Sequence, residues 1–264
     1  MPTGFETAVL AESPILNWDG QVGVADAAVS TGSSALSMSA VGTIGTPGTG
    51  PLGAGDATLN FNSEGYWNSN TLPTSLDAQT TGVMLVSFKL TTLGGPVRQY
   101  LFSVGEKDNG SKIIWFTITT TGSISLRFSE GTGVMDAAPT TPVSLADSLW
   151  HFLVIRQKAD GTGFEMYLDG AWLAVTQSAG GTTSINDWFS SFNTAVPGAD
   201  AFRLGRSAAT SSENICTGEM SHFTIFGSAL SNAQIATLYA AWLGAPDFSN
   251  KTIRRKNRRI YFDI

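Results

Sequence analysis

The strongest constraint on this chain is a recurring pattern of short apolar segments with a period of two, punctuated by turns containing glycine or aspartate. Residues 83–90 set the pattern: Val83, Leu85, Ser87 and Lys89 alternate with Met84, Val86, Phe88 and Leu90. Successive side chains of a strand point to opposite faces, so this spacing predicts a strand rather than a helix. Further strands are predicted at 15–18, 57–61, 98–104, 111–119, 123–129, 150–158, 164–168, 171–176, 202–205 and 218–226. Hairpin loops are predicted at 105–110 and 159–163. Asp169-Gly170 has the composition of a two-residue hairpin turn.

Two segments read differently. Residues 5–11 suit one or two helical turns, stopped where Ser13 precedes Pro14 and is pushed out of the α region. Near the end, Ser231 is placed as an N-cap ahead of Ile235, Leu238, Tyr239 and Trp242, which form one apolar stripe; Gly244 and Pro246 stop the helix. Residues 19–56 are rich in Gly, Ser, Thr and Ala and read as a long irregular or extended segment. Many short strands with one convincing helix predict an all-β fold. The expected form is a two-sheet antiparallel β-sandwich of jelly-roll type, with one short C-terminal helix covering an end of it. The sandwich is expected over residues 1–246, with a separate tail over 247–264.

At 264 residues the chain can bury a large core without covalent staples. A single cysteine, Cys216, excludes an internal disulfide framework and a cysteine-rich zinc site. His151 and His222 are the only histidines, too few for a multi-histidine metal centre; both, like Cys216, read as packing residues. No apolar run approaches the ~20 residues of a membrane helix. The N-terminus shows no secretory signal pattern.

Charge is unevenly distributed. The last 14 residues carry six bases against one acid, whereas the first 250 carry nine bases against 20 acids. An acidic body therefore bears a basic tail. Arg254, Arg255, Lys256, Arg258 and Arg259, followed by Tyr261 and Phe262, suit docking on an acidic partner surface, a protein before a nucleic acid. The same segment would also serve as a plain solvated terminus.

Three segments in order resemble the laminin-G-like, concanavalin A-like jelly-roll family. The first is Ala8 to Trp18, a helical turn leading through Ser13-Pro14 into a Trp strand. The second is Trp150-His151-Phe152-Leu153-Val154-Ile155-Arg156, then Asp160-Gly161, then Tyr167-Leu168-Asp169-Gly170. The third is Phe202-Arg203-Leu204-Gly205, then Gly218 to Phe226, then the helix from Ser231. The resemblance implies the sandwich already read from periodicity. It also implies a choice among lectins, glucan-cleaving enzymes, adhesion modules and bacteriophage virion proteins, which fold alone does not make. Where relatives often continue Arg-Leu-x-Glu after the Trp, this chain has Asp19-Gly20-Gln21, and Ser221-His222 stands where an acid is usual. Asp19, Asp26 and Glu64 remain as oxygen ligands, but calcium needs six or more, so no metal and no cofactor is assigned.

Catalytic patterns are absent from the sequence. No Glu-x-Asp-x-x-Glu run offers the close carboxylate pair of a retaining glycosidase. The nearest candidate, Glu106-Lys107-Asp108, falls in a predicted hairpin loop. Aromatic rings in polar surroundings are the better clue. Tyr66 and Trp67 lie within Glu64 to Asn70, and Trp188 lies within Asn186 to Asn193. These three rings are the candidate carbohydrate-binding residues, since sugars stack apolar ring faces on aromatics. Packing beneath loops or at a subunit interface would use the same residue types.

The expected function is therefore a non-enzymatic bacteriophage virion structural protein at the particle surface: a capsid decoration protein whose basic tail docks on the virion. A symmetric homo-oligomer such as a trimer is expected. The alternative is a carbohydrate-binding adhesin module of a tail or secreted protein, meeting a cell-surface glycan; a glycoside hydrolase ranks below it.

Overall fold

A computed structural model describes residues 4–18, 27–29, 37–42, 48–52, 56, 58–62, 65–70, 76, 79–91, 98–106, 112–130, 133–158, 160–180, 188–189, 200–208 and 216–244. Two antiparallel sheets face each other. The first contains β1 (Leu16–Trp18), β4 (Leu59–Asn62), β6 (Val83–Leu90), β11 (Trp150–Gln157), β12 (Phe164–Leu168), β13 (Ala171–Leu173) and β16 (Thr217–Phe226). Its order is β1-β16-β6-β11-β12-β13, with β4 also pairing β16. The second contains β2 (Ala27–Val29), β3 (Ser37–Val41), β5 (Tyr66–Ser69), β7 (Gln99–Glu106), β8 (Lys112–Ile118), β9 (Ile124–Glu130), β10 (Gly133–Pro139), β14 (Val175–Gly180) and β15 (Asp200–Leu204). Its order is β14-β10-β9-β8-β7-β15-β5-β3-β2.

The main core lies between the sheets. Met84, Val86, Phe88 and Leu90 from β6 meet Phe102, Val104, Ile114, Phe116, Leu126 and Phe128 from the opposite sheet. The other face of β6 is also buried. Val83 and Leu85 join Phe152, Val154 and Phe226 beneath α1 (Gly4–Ala11) and α2 (Asn232–Leu243), whose Phe5, Val9, Ile235, Leu238 and Trp242 form a second core. The strand therefore alternates between two hydrophobic layers, not between core and water.

The C-terminal helix begins as predicted. Ser231 accepts from the Gln234 backbone N–H while Gln234 reaches back to the Ser231 N–H, a reciprocal capping box. Its location differs from expectation: with α1 it covers the outer face of the seven-stranded sheet rather than an end of the sandwich. Trp242 Nε1 donates to Ser87 Oγ at 3.1 Å, fixing the helix to the central strand.

Three further departures have local causes. The strand predicted at 171–176 is two strands in different sheets: β13 pairs with β12 and β14 with β10, so the chain crosses layers at Ala174. The segment 19–56 contributes β2 and β3 despite its low hydrophobicity, because they pair at the edge of the nine-stranded sheet. Residues 66–69, which fall outside the predicted strands, form β5. No helix among the described residues is long and apolar enough to cross a membrane. The basic tail, including Arg254, Arg255, Lys256, Arg258, Arg259, Tyr261 and Phe262, lies outside the described residues.

Candidate functional site

The two faces of the nine-stranded sheet differ sharply. Inward positions supply the core. Outward positions carry a transverse polar and aromatic row, set by register. Ser39 pairs with Asn68, and Asn68 with Arg203. Arg203 pairs with Ser103, and Ser103 with Trp115. Trp115 pairs with Arg127, Arg127 with Asp136, and Asp136 with Ser178. Directly opposed residues lie about 4.5–5.5 Å apart on one face, so the row is a line of neighbours.

One half of the row is a stacked aromatic-cation unit. Tyr100 meets Trp115 edge-on, with ring centroids 5.6 Å apart. The Arg127 guanidinium lies 5.4 Å from the Trp115 ring centroid. Arg127 also forms a two-point bridge to Asp136, from Nε to Oδ1 at 2.6 Å and from Nη2 to Oδ2 at 2.8 Å. Such a fork fixes the guanidinium plane and leaves the carboxylate spoken for. The Trp115 indole N–H has no hydrogen-bond partner.

The other half is organised by a turn that folds back over the face. Gly205 has φ +86°, and a side chain there would collide with the Phe61 ring. That left-handed step returns residues 206–208 across the sheet. Ser103 Oγ donates to the Arg206 carbonyl at 2.7 Å, and Arg203 Nη1 donates to the Ser207 carbonyl at 2.7 Å. Ala208 packs on Ile113 and Ala201. Arg203 Nε donates to Asn68 Oδ1 at 3.1 Å. The Tyr66 ring lies under both cations, 4.7 Å from Arg206 and 5.5 Å from Arg203.

The three aromatic residues singled out in the sequence have different fates. Tyr66 lies on this face but is 9% exposed, buried beneath Arg203 and Arg206, so it serves as a support for the two cations and not as an open ring for a sugar. Trp67, its neighbour on β5, points the other way and is 5% exposed within the main core. Trp188 is 1% exposed and packs against Phe128, Phe164 and Phe189 at 6.1, 5.8 and 5.2 Å. Neither ring offers a face to a sugar, which corrects their assignment as carbohydrate-binding residues. The cause for Trp67 is the period of two: in a strand, adjacent rings cannot share a surface.

Trp115, Arg127, Asp136, Arg203 and Arg206 were not singled out from sequence. Alternation in 112–118 and 124–130 does separate Trp115 and Arg127 from the core positions. Nothing local says that they are opposite each other.

The described residues of this face hold one carboxylate, Asp136, and it is committed to Arg127. Glu106 ends β7 in register with Asp200, while Lys107 and Asp108 lie outside the described residues, as do Asp19, Asp26 and Glu64. Among the described residues no group of three His, Cys, Asp or Glu is placed to hold a metal.

The histidines belong to the seven-stranded sheet. His151 is buried between Asp169, 2.8 Å from Nδ1, and Asp147, 3.1 Å from Nε2. Burial opposes its charging, but the two carboxylates outweigh burial and its pKa is raised. His222 is buried against the Phe5 ring at 4.8 Å, and burial pushes its pKa down to about 3. Cys216 is buried, which pushes its thiol pKa up and leaves it inert as a nucleophile.

A sequence profile of the concanavalin A-like lectin/glucanases superfamily matches residues 68–236. No curated protein matches the chain. Among solved structures, the CBM40 domain of the Ruminococcus gnavus IT-sialidase bound to α2,3 sialyllactose aligns with a TM-score of 0.53 at 14% identity. The alignment covers 69% of this chain and 96% of that one. The binding domain of botulinum neurotoxin serotype C1 aligns with a TM-score of 0.59 at 12% identity, over 88% of this chain and 52% of that one. A leech intramolecular trans-sialidase aligns with a TM-score of 0.52 at 16% identity, over 75% of this chain but 28% of the enzyme. At these identities the likeness is one of fold.

Proposed function

The chain belongs to the concanavalin A-like lectin/glucanases superfamily, and from that premise we propose that it is a non-enzymatic, glycan-recognising jelly roll displayed on the surface of a bacteriophage particle. The observation that carries the recognition half is the outward row of the nine-stranded sheet. Trp115 provides half-buried aromatic surface, polar groups flank it, and Asp136, the one carboxylate among the described residues of this row, is tied to Arg127. Aromatic faces with a few placed polar groups are the usual means of holding a sugar. A glycosidase would instead need a second carboxylate free to act. The sialyllactose held by the Ruminococcus domain of the same fold supports a saccharide as the ligand class.

The particle half rests on charge. A body with 20 acids against nine bases carries a terminal segment with six bases against one acid, with Tyr261 and Phe262 among its last four residues. Arg254, Arg255, Lys256, Arg258 and Arg259 would dock on an acidic particle surface, as a capsid decoration does, while the sandwich projects outward.

A glycan array probed with the full chain and with Trp115→Ala tests the first half. Signal lost in the variant is expected; signal kept by it moves the site elsewhere, and no signal from the full chain removes the reading. Release of reducing ends from any bound glycan, abolished by Glu106→Gln, would restore a hydrolase. Co-sedimentation with phage particles tests the second half.

A further inference from the structure

We propose that Arg206, seated on Tyr66, makes this face selective for saccharides that carry a carboxylate. The proposal rests on the glycan reading above and adds the charge class of the ligand.

Arg206 is held at both ends but its donors are unused. Its carbonyl accepts from Ser103, and its guanidinium lies 4.7 Å from the centre of the Tyr66 ring. Its Nε is buried without a partner, and its side chain makes no hydrogen bond or ion pair with a described residue. The other well-placed arginines behave differently. Arg127 spends its fork on Asp136, and Arg156 bonds Glu165, the Leu230 carbonyl and Asn232. A guanidinium carries five N–H donors in one plane, and leaving them unmet at a half-buried site is costly. A carboxylate matches the planar fork with two parallel bonds.

The field of the face points the same way. Arg203 also lies 5.5 Å from the Tyr66 ring centre, so the two guanidinium carbons are no more than about 10 Å apart. Within a body of nine bases and 20 acids, the described residues of this row and its covering turn hold three arginines and one carboxylate. A cationic island on an acidic body steers anions to itself. The half-buried Trp115 ring on the same face supplies the apolar surface that a sugar ring needs and a free inorganic anion does not.

The test uses the full chain and paired saccharides that differ in charge alone or by one acidic residue. The pairs are oligogalacturonate with its methyl ester, and sialyllactose with lactose. Calorimetry is expected to show at least about tenfold tighter binding of one or both acidic members. Arg206→Gln should abolish that preference while its melting temperature stays that of the parent chain. Which pair responds identifies the source of the carboxylate. Equal binding of acid and neutral members, unchanged by Arg206→Gln but lost in Trp115→Ala, overturns this inference and leaves the glycan reading standing. Binding of no saccharide overturns both. A preference that survives Arg206→Gln places the acidic subsite elsewhere and also overturns the inference.

Discussion

Asp169 Oδ2 lies 2.8 Å from His151 Nδ1, and the other oxygen of the same carboxylate accepts the Phe152 backbone N–H at 2.8 Å. One side chain thus ties the start of β11 to the end of β12. It can do so because Asp169 and Gly170, at φ +47° and +93°, form a tight reversal with both central residues left-handed. The Trp-His and Tyr-x-Asp-Gly segments are therefore two ends of one structural clamp, and the histidine has a structural role.

That clamp has a pH signature. The folded pKa of His151 is raised, so its contribution is fully present below the unfolded value near 6.5 and is lost as pH rises through the folded value. His151→Gln should lower stability by about 1–3 kcal/mol at pH 5.5. The deficit relative to the parent chain should shrink at pH 8.5. Urea unfolding of both proteins at the two pH values checks this; an equal deficit at both would remove the charged pair as the cause.

His222 works in the opposite direction. Its folded pKa is about 3, so the unfolded chain takes up a proton below about 6.5 that the folded chain refuses. Stability is present above that value and is lost as pH falls toward 3. His222→Phe should flatten the acid side of the stability curve between pH 6.5 and 4. The measurement is the midpoint of thermal unfolding across that range.

Trp188 and Trp115 should separate stability from recognition. Trp188→Ala removes a ring enclosed by three phenylalanines and should cost about 3–5 kcal/mol. Trp115→Ala loses a half-exposed ring stacked on Arg127 and should cost about 1 kcal/mol. Only the second should change binding of a saccharide to the folded protein. Denaturant titrations alongside calorimetry read both quantities.

Ser87→Ala should cost about 1–3 kcal/mol by leaving the Trp242 indole N–H buried without its acceptor. Combining it with Trp242→Phe should cost less than the sum of the two single changes. A double-mutant cycle by chemical unfolding measures the coupling. Strict additivity would show that the bond does not hold the helix to β6.

Removing residues 251–264 should leave the thermal unfolding midpoint unchanged and abolish sedimentation with particles. Light scattering on the same pair reads the oligomeric state, where a trimer is the expected form of the full chain.

Sequence by itself determined what is local. The period of two located β6, β7, β8, β9, β11, β12 and β16 to within about two residues, the Ser231 cap located α2, and Asp169-Gly170 located the tight turn. The uneven charge and the inert surroundings expected for His222 and Cys216 also follow from composition and spacing. Tertiary structure alone decided what depends on distant pairing. Alternation tells which face a residue takes but not which residue stands beside it, because register is set between strands far apart in the chain. Arg203, Ser103, Trp115 and Arg127 become neighbours only when β15, β7, β8 and β9 pair as they do. The same non-local packing sent Trp188 inward, moved β14 into the opposite sheet from β13, and left Arg206 over Tyr66 with its donors open.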